Sequence, residues 1–451
     1  MTISIHPDAE TIIQLLRQNG FEAYAVGGCV RDILLGQEPH DWDICTSATP
    51  AEMKQCFSAY KTFDTGIAHG TITVVIHHLP FEVTTYRVDG DYKDNRHPES
   101  VTFTRSLRED LARRDFTVNA MAYNEESGTV DLFGGEKDLR NKTIRCVGNP
   151  DERFNEDALR ILRALRFASC YDFAIESATA SAIRGNAELL RNIAVERVAA
   201  EFTKLICGGG AERILNDYRE VVAVFLPELR ETFDFEQRNK HHIFDVYHHI
   251  THSVGLIDPT PLLRYTMLLH DIGKPRACTT DQKGARHFKG HQQISAEIAL
   301  EALRRLRLPN ALTEDCLELI LCHDVRYSGT KKQLRRLLNR LGEEKTRLLF
   351  KVQYADTLSQ SEYLREEKLL SLETAKRQFE EIVRERECVT LRQLEINGRD
   401  LIGLGITDGK TIGAVLRALL EMVMDEEVEN KKAALLELAE RLKKADKKSP
   451  T

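Results

Sequence analysis

The stretch AYAVGGCVRDILLGQEPHDWDICTSATP, residues 23–50, sets a glycine pair ahead of Arg31 and Asp32, then two aspartates around Trp42. "YAVGG" reads as the end of a strand, and "DWDIC" alternates polar and apolar residues as a half-buried strand does. Side chains two positions apart on a strand share a face, so Asp41 and Asp43 are expected side by side. Two carboxylates that close repel each other unless a cation lies between them. Mg²⁺ is the cation that takes oxygen ligands and shares them with phosphates. Gly27 and Gly28 let backbone N–H groups approach a triphosphate at the start of the following helix, where the helix dipole favours anions. Arg31 offers the same phosphates a charge-assisted partner.

Working outward, "TITVVIHHLPFEVTTYR" reads as two strands around a turn at His78, Leu79 and Pro80. Glu82, on the second of them, becomes a third carboxylate if that strand lies beside the one carrying Asp43. The expected fold is therefore multi-domain. Residues 1–148 form an α+β head with a mixed sheet and helices. From "NEDALRILRALRFASC" onward the pattern is helical. It divides into a neck over 149–210, a histidine-rich body over 211–365 and a charged helical tail over 366–451. The final "KKADKKSPT" reads as disordered.

The composition fits a chain of several cores. It has 451 residues, 42% hydrophobic and 29% charged. No apolar run reaches the length of a membrane span, and "MTISIHPDAE" has neither the basic start nor the apolar core of a signal peptide. The ten cysteines contain no C-x-x-C pair, which fits reduced thiols in a cytoplasm. The net charge of −7 is low for a nucleic-acid partner, so any basic surface must be local. "RILRALRF", "RRLR", "KKQLRR" and "RLKKADKK" are such local runs, although most of them taken singly read as solvated helix faces.

Several motifs in order carry a resemblance. "GGCVRDILLG…DWDICTSA" is similar to the head motif of the class II tRNA nucleotidyltransferase and bacterial poly(A) polymerase family, within the polymerase β superfamily. "DGDYKDNRHPESVTF" resembles the family's flexible loop, "RRDFTVNAMAY" its ribose-recognition motif and "DLFGGEKDL" its hinge. "EDALRILRALRF" resembles its nucleobase-reading motif and "VERVAAEFTKL" its last neck motif. The resemblance implies that an RNA 3′-hydroxyl attacks the α-phosphate of CTP or ATP, adding CCA to tRNA. Asp41 and Asp43 would be the metal-binding catalytic pair with Mg²⁺, one ion activating the hydroxyl and another stabilising pyrophosphate. Arg114, Asp115 and Asn119 would read ribose and phosphates. No protein partner is implied.

Within the nucleobase motif, Asp157 and Arg160 are three apart, so they are expected to share one helix face. A carboxylate only accepts hydrogen bonds and a guanidinium only donates them. Cytosine and adenine each offer an amino donor beside a ring-nitrogen acceptor, whereas uracil and guanine present the reverse. An Asp–Arg pair thus admits C and A and opposes U and G. Arg163 and Arg166 continue the face toward phosphates. The same pattern also suits an amphipathic helix with plain ion pairs.

Nine of the fifteen histidines fall in the body. "FDVYHHITHSV", "MLLHDIGKP", "HFKGHQQ", "ILCHD" and "YADTLSQ" resemble an HD domain, which implies His249, His270, Asp271 and Asp356 as metal ligands. His291 and His323 are further ligands in the two-metal form of that resemblance. The His248–His249 doublet leaves the first ligand open by one residue. His241, His242 and His252 read as packing or capping groups. Imidazole with carboxylate suits Mn²⁺, Fe²⁺, Ni²⁺ or Zn²⁺. The implied second activity is hydrolysis of a phosphomonoester or a cyclic phosphate. Alternatives stay open: a poly(A) polymerase, an A-only tRNA nucleotidyltransferase, or a metal phosphohydrolase whose head binds RNA.

Overall fold

The computed structural model describes residues 5–90, 101–327 and 329–446. The expected flexible loop between Tyr86 and Phe103 therefore lies mostly outside the described residues. The head carries the strands β1 (Ala23–Val26), β2 (Asp43–Thr46), β3 (Lys61–Gly66), β4 (Thr71–Ile76), β5 (Leu79–Thr85), β6 (Arg87–Asp89), β7 (Val101–Phe103), β8 (Met121–Asn124) and β9 (Gly128–Asp131), and a short β10 (Thr143–Ile144) that pairs with Ala174–Ile175. Seven of them form one sheet in the order β3-β4-β5-β2-β1-β8-β9. Neighbours are antiparallel except β2 and β5, which run parallel, so the sheet is mixed as expected.

Two local readings change. Strand β2 begins at Asp43, and Asp41 precedes it. Ile44, Cys45 and Thr46 are all buried rather than alternating, because β1 and β5 flank this strand in the middle of the sheet. The β4–β5 turn falls at His77 and His78, with φ of 46° and 69°, and Leu79 and Pro80 already belong to β5. A two-residue turn with both φ positive matches the twist of a hairpin.

The chain divides into two compact units. The first holds the residues up to Arg230 together with Pro259–Pro261 and Ala302–Leu308. Within it, the neck helices Leu159–Cys170 and Val195–Ile206 pack through Leu162, Leu165, Phe202 and Leu205, all fully buried. The second unit holds Glu231–Asp258, Leu262–Glu301 and Pro309 onward. Its long helix Lys331–Leu358 is interrupted at Gly342, where φ is 75°. The tail helices Gly398–Gly403, Gly409–Met424 and Lys432–Asp446 share a cluster built on Leu401, Leu419 and Leu435. The last of these helices runs through Asp446, further than the disorder read from the sequence. Among the described residues no helix is long and apolar enough to cross a membrane.

Candidate functional site

In the head, the parallel pairing of β2 with β5 sets Asp43 directly beside Glu82. The third carboxylate expected from the sequence is therefore an immediate neighbour of the second. Burial pushes the Asp43 carboxyl above its usual range, Arg114 opposes the shift, and Glu82 and Asp41 add to it. A buried carboxyl beside two further carboxylates belongs to a donor set that a divalent cation relieves. Gly27 has φ of 81° and ψ of −125°, a backbone reserved for glycine, and it turns the chain from β1 into the helix Gly28–Leu34. A Cβ on Gly27 would meet the Arg114 guanidinium at 3.0 Å. Arg114 is held by Asp110 at 3.3 Å and bears on Asp43, so a cation faces the ground between the glycine turn and the carboxylates. Asp110, 1% exposed and paired with both Arg113 and Arg114, was not singled out from the sequence, where it is one charge among many.

Arg31 is placed differently from the phosphate contact read in the sequence. It is 7% exposed and bonds Asp32 through Nε at 2.8 Å and Asn119 Oδ1 through Nη1 at 2.6 Å. Its guanidinium lies 5.1 Å from the Phe167 ring centroid and 5.0 Å from that of Tyr171. The Asn119 amide donates to Asp115 at 3.1 Å, and Arg163 Nε donates to the other oxygen of Asp115 at 2.8 Å. Tyr171 closes the circuit by donating to Asp32 at 3.1 Å. Arg163, Phe167 and Tyr171 recur at four-residue spacing along one neck helix and its cap. They lock that helix onto the segment that carries Asp115 and Asn119. Burial would raise the Asp115 carboxyl, but Arg163, with Asn119 and Arg160, brings it down to about 2. Arg166 pairs with Glu201 at 2.9 Å.

The pair Asp157 and Arg160, expected from the sequence to read a base, also departs from expectation. Asp157 is extended, with φ of −134°, and separates the helices Pro150–Glu156 and Leu159–Cys170. Its Oδ1 accepts from the Leu159 N–H at 3.0 Å, so it caps the second helix and shares no helix face with Arg160. A short carboxylate beside the unpaired N–H groups of a helix start prefers this position. Arg160 bonds Glu156 at 2.7 Å and the Arg113 carbonyl at 3.0 Å. Asp157 lies 3.4 Å from Arg197.

The second unit gathers the histidines. His249 comes from the helix Val246–Leu256 and Asp356 from Lys331–Leu358, while His270 and Asp271 sit in the turn just after Pro261–Leu269. The ligand atoms of His249, His270, Asp271 and Asp356 all lie within 4.8 Å of one another, as do those of Asp271, His291 and His323. His249 Nε2 is 3.0 Å from both Asp271 Oδ2 and Asp356 Oδ1. His291 Nε2 is 3.1 Å from Asp271 Oδ1, so the two oxygens of Asp271 serve different groups. Each imidazole is oriented from behind through Nδ1: His249 by Ser359 Oγ at 3.0 Å, His270 by the Met267 carbonyl at 2.7 Å, His291 by the Phe288 carbonyl at 2.8 Å and His323 by the Ile320 carbonyl at 2.6 Å. That arrangement leaves every Nε2 for the centre, as in metal sites. Asp271 Oδ1 is buried and accepts no hydrogen bond of acceptable geometry, an orphan that a cation satisfies. Asp271 is held well below the carboxylate range by His270 and Lys274 against the cost of burial. Lys274 bonds it at 2.6 Å, a contact at i, i+3 that "HDIGKP" carried openly.

The doublet resolves to His249, because His248 Nδ1 pairs with its own helix cap, Asp245, at 2.8 Å. His252 packs on Phe244, as expected. His241 packs on Tyr363 and His242 on His249, and both also line the cavity above the cluster.

A mixed sheet that carries Asp43 and Glu82 side by side, with Asp41 just ahead of β2 and a glycine turn beside them, is the arrangement of a nucleotidyltransferase head. Residues 23–145 match the family described as "Poly A polymerase head domain", 172–232 that described as "Probable RNA and SrmB- binding site of polymerase A", and 290–439 a domain 2 of tRNA nucleotidyltransferases. The chain is 35% identical to a CCA-adding enzyme of Enterococcus faecalis over 98% of its own length and 97% of the relative's. A CCA-adding enzyme of Levilactobacillus brevis is 36% identical over 95% of this chain and 96% of the relative. The solved structure of the Bacillus stearothermophilus CCA-adding enzyme in complex with CTP superposes with a TM-score of 0.70 at 32% identity, covering 99% of this chain and 100% of that one. The chain belongs to the CCA-adding family of tRNA nucleotidyltransferases.

Proposed function

We propose that the chain adds CCA to the 3′ end of tRNA, taking CTP and ATP in turn without a nucleic-acid template. The placement of Asp43 beside Glu82, facing Arg114 across the glycine turn, carries this reading. The name of the relatives and the CTP held by the Bacillus stearothermophilus enzyme support the substrates. The RNA 3′-oxygen forms a bond to the α-phosphorus, the bridge to the β-phosphate breaks, pyrophosphate leaves and the hydroxyl proton passes to water. Asp41, Asp43 and Glu82 would hold a divalent ion such as Mg²⁺, which acidifies the attacking hydroxyl and offsets charge on the leaving group. Gly27 and Gly28 give the triphosphate room, and Arg114 meets it with a fixed charge. Asp115 and Asn119 place the ribose, and Asp157 and Arg160, released from Arg197 and Glu156, read the base. Incubating the protein with tRNA lacking its 3′ end and each labelled nucleotide singly tests this. The expected result is C addition from CTP alone and A addition only after CC. A-tailing of unrelated RNA would assign a poly(A) polymerase instead.

A second reading concerns the histidine cluster, and the orphaned oxygen of Asp271 favours it. The cluster hydrolyses a phosphomonoester or cyclic phosphate with Mn²⁺, Ni²⁺ or a similar ion. Water forms the new bond to phosphorus, the ester P–O bond breaks, and the leaving oxygen takes a proton from water. Phosphate release across a panel of metals is the test. No release and no bound metal would leave these residues as structure only.

A further inference from the structure

Above the histidine cluster lies a cavity of about 1130 Å³. Seven lysine or arginine side chains line it against four carboxylates. Two of those four, Asp271 and Asp356, belong to the metal-ligating floor, so the cavity proper is strongly cationic. Lys240, Lys289 and Arg326 are exposed around it, whereas Lys274 is buried and Lys368 half-buried.

The two inner lysines differ. Lys274 is committed to Asp271 and to Gln237 Oε1 at 2.9 Å, so it is part of the floor. Lys368 has no ion-pair partner among the described residues. It donates to Gln360 Oε1 at 2.5 Å, and the Gln360 amide donates in turn to Asp356 Oδ2 at 2.9 Å. One amide thus separates this ammonium from a metal-ligating carboxylate. Burial lowers the Lys368 pKa. Asp356 and Asp324 oppose that shift, while Arg326 and Lys274 reinforce it. An ammonium half-removed from water, unpaired and facing other cations, is costly unless an anion joins it.

We propose that Lys368 anchors a non-reacting anionic group of the substrate, so that the histidine site takes a phosphate ester carrying at least two anionic groups, of nucleotide size. The inference rests on the phosphohydrolase reading of the cluster and names the substrate class for it. The cavity is larger than a single phosphoryl group needs, and pockets for ligands of nucleotide size run to roughly 300–1,000 Å³. The floor takes the phosphoryl group that reacts, and Lys368 holds the second group beside it.

The test uses the full-length protein loaded with Mn²⁺ and two probes, adenosine 3′-monophosphate and adenosine 3′,5′-bisphosphate. The wild type should prefer the bisphosphate in kcat/KM by about ten-fold, the worth of one charge-assisted hydrogen bond. Lys368→Met should raise KM for the bisphosphate by about ten-fold with kcat within about two-fold, erasing the preference. Lys368→Arg should restore most of it, and the metal content of both variants should match wild type. A Lys368→Met protein that keeps the preference, or loses both probes equally, overturns the anchor. Calorimetric binding of the bisphosphate, with CTP saturating the head, separates the two readings. If nothing is hydrolysed yet affinity falls about ten-fold in Lys368→Met, the hydrolase reading fails and the anion site stands. If the wild type binds no bisphosphate, or the variant binds it equally well, the anion site fails.

Discussion

Asp115 sits in a closed circuit of charge, 8% exposed, between Asn119 and Arg163. Its pKa is depressed to about 2, so its contribution to stability is full above the unfolded pKa near 4 and is lost as pH falls toward 2. A shift of that size corresponds to about 2–3 kcal/mol. Asp115→Asn should therefore be less stable than wild type by about that amount at pH 7, and the gap in urea midpoints should narrow as pH is lowered from about 4 to about 2. A gap independent of pH would mean that Asp115 does not interact as a carboxylate. The neighbouring Arg31 illustrates what a linear reading misses. Its proximity to Gly27 and Gly28 pointed to phosphate, but the partners that bury it, Asn119, Phe167 and Tyr171, lie far along the chain. Nothing local in "GGCVRD" announces them.

Gly27 joins β1 to the helix that follows, and its conformation, φ 81° and ψ −125°, excludes a side chain on two grounds. The backbone alone costs about 1–3 kcal/mol for any other residue, and a methyl group presses on Arg114 at 3.0 Å. Gly27→Ala should lose about 1–3 kcal/mol in urea unfolding and also raise KM for CTP, because Arg114 is displaced. Equal nucleotide affinity would separate Arg114 from the triphosphate. The proposed base choice belongs to the same scale. Asp157 links two helices and caps the second, so Asp157→Ala should cost about 1 kcal/mol through the lost cap. It should also relax discrimination against UTP and GTP while lowering use of CTP and ATP. Unchanged nucleotide preference would leave the residue as a cap only. The β4–β5 hairpin and the glycine turn were legible in sequence, since hairpin spacing and glycine placement are local signals, whereas the Asp43–Glu82 neighbourhood depends on the pairing of β2 with β5, which the sequence left open. The helix break at Asp157 was not, because "EDALRILRALRF" carries an uninterrupted helical period through it.

The two candidate centres lie in different compact units, and each is built from residues of its own unit. His270→Ala should abolish phosphate-ester hydrolysis and spare CCA addition, and Asp43→Ala should do the reverse. The histidine cluster was legible as residue types, but its convergence needed the fold. Asp271 offers its two oxygens to separate groups of histidines, and no spacing in the sequence expresses that.

Metal binding supplies a whole-molecule readout that does not require a substrate. A set of His249, His270 and Asp271, all buried, with the half-buried Asp356 is expensive to assemble without a cation, and binding to the folded form alone stabilises it by mass action. At a metal concentration one hundred times Kd the gain is about 2.7 kcal/mol, which in a unit of this size raises Tm by roughly 5–10 °C. Mn²⁺ or Ni²⁺ should thus shift one thermal transition upward while Mg²⁺ at the same concentration shifts it little, since imidazole ligands favour transition metals. Asp43→Ala should keep the shift. His270→Ala should remove it, even if that variant is less stable to begin with, because the comparison is between each protein with and without metal. Chelation of the wild type should return Tm to the metal-free value. A Tm that no transition metal moves, or one that His270→Ala still raises, would show that the cluster holds no ion and that its charges are balanced by Lys274 and by each other.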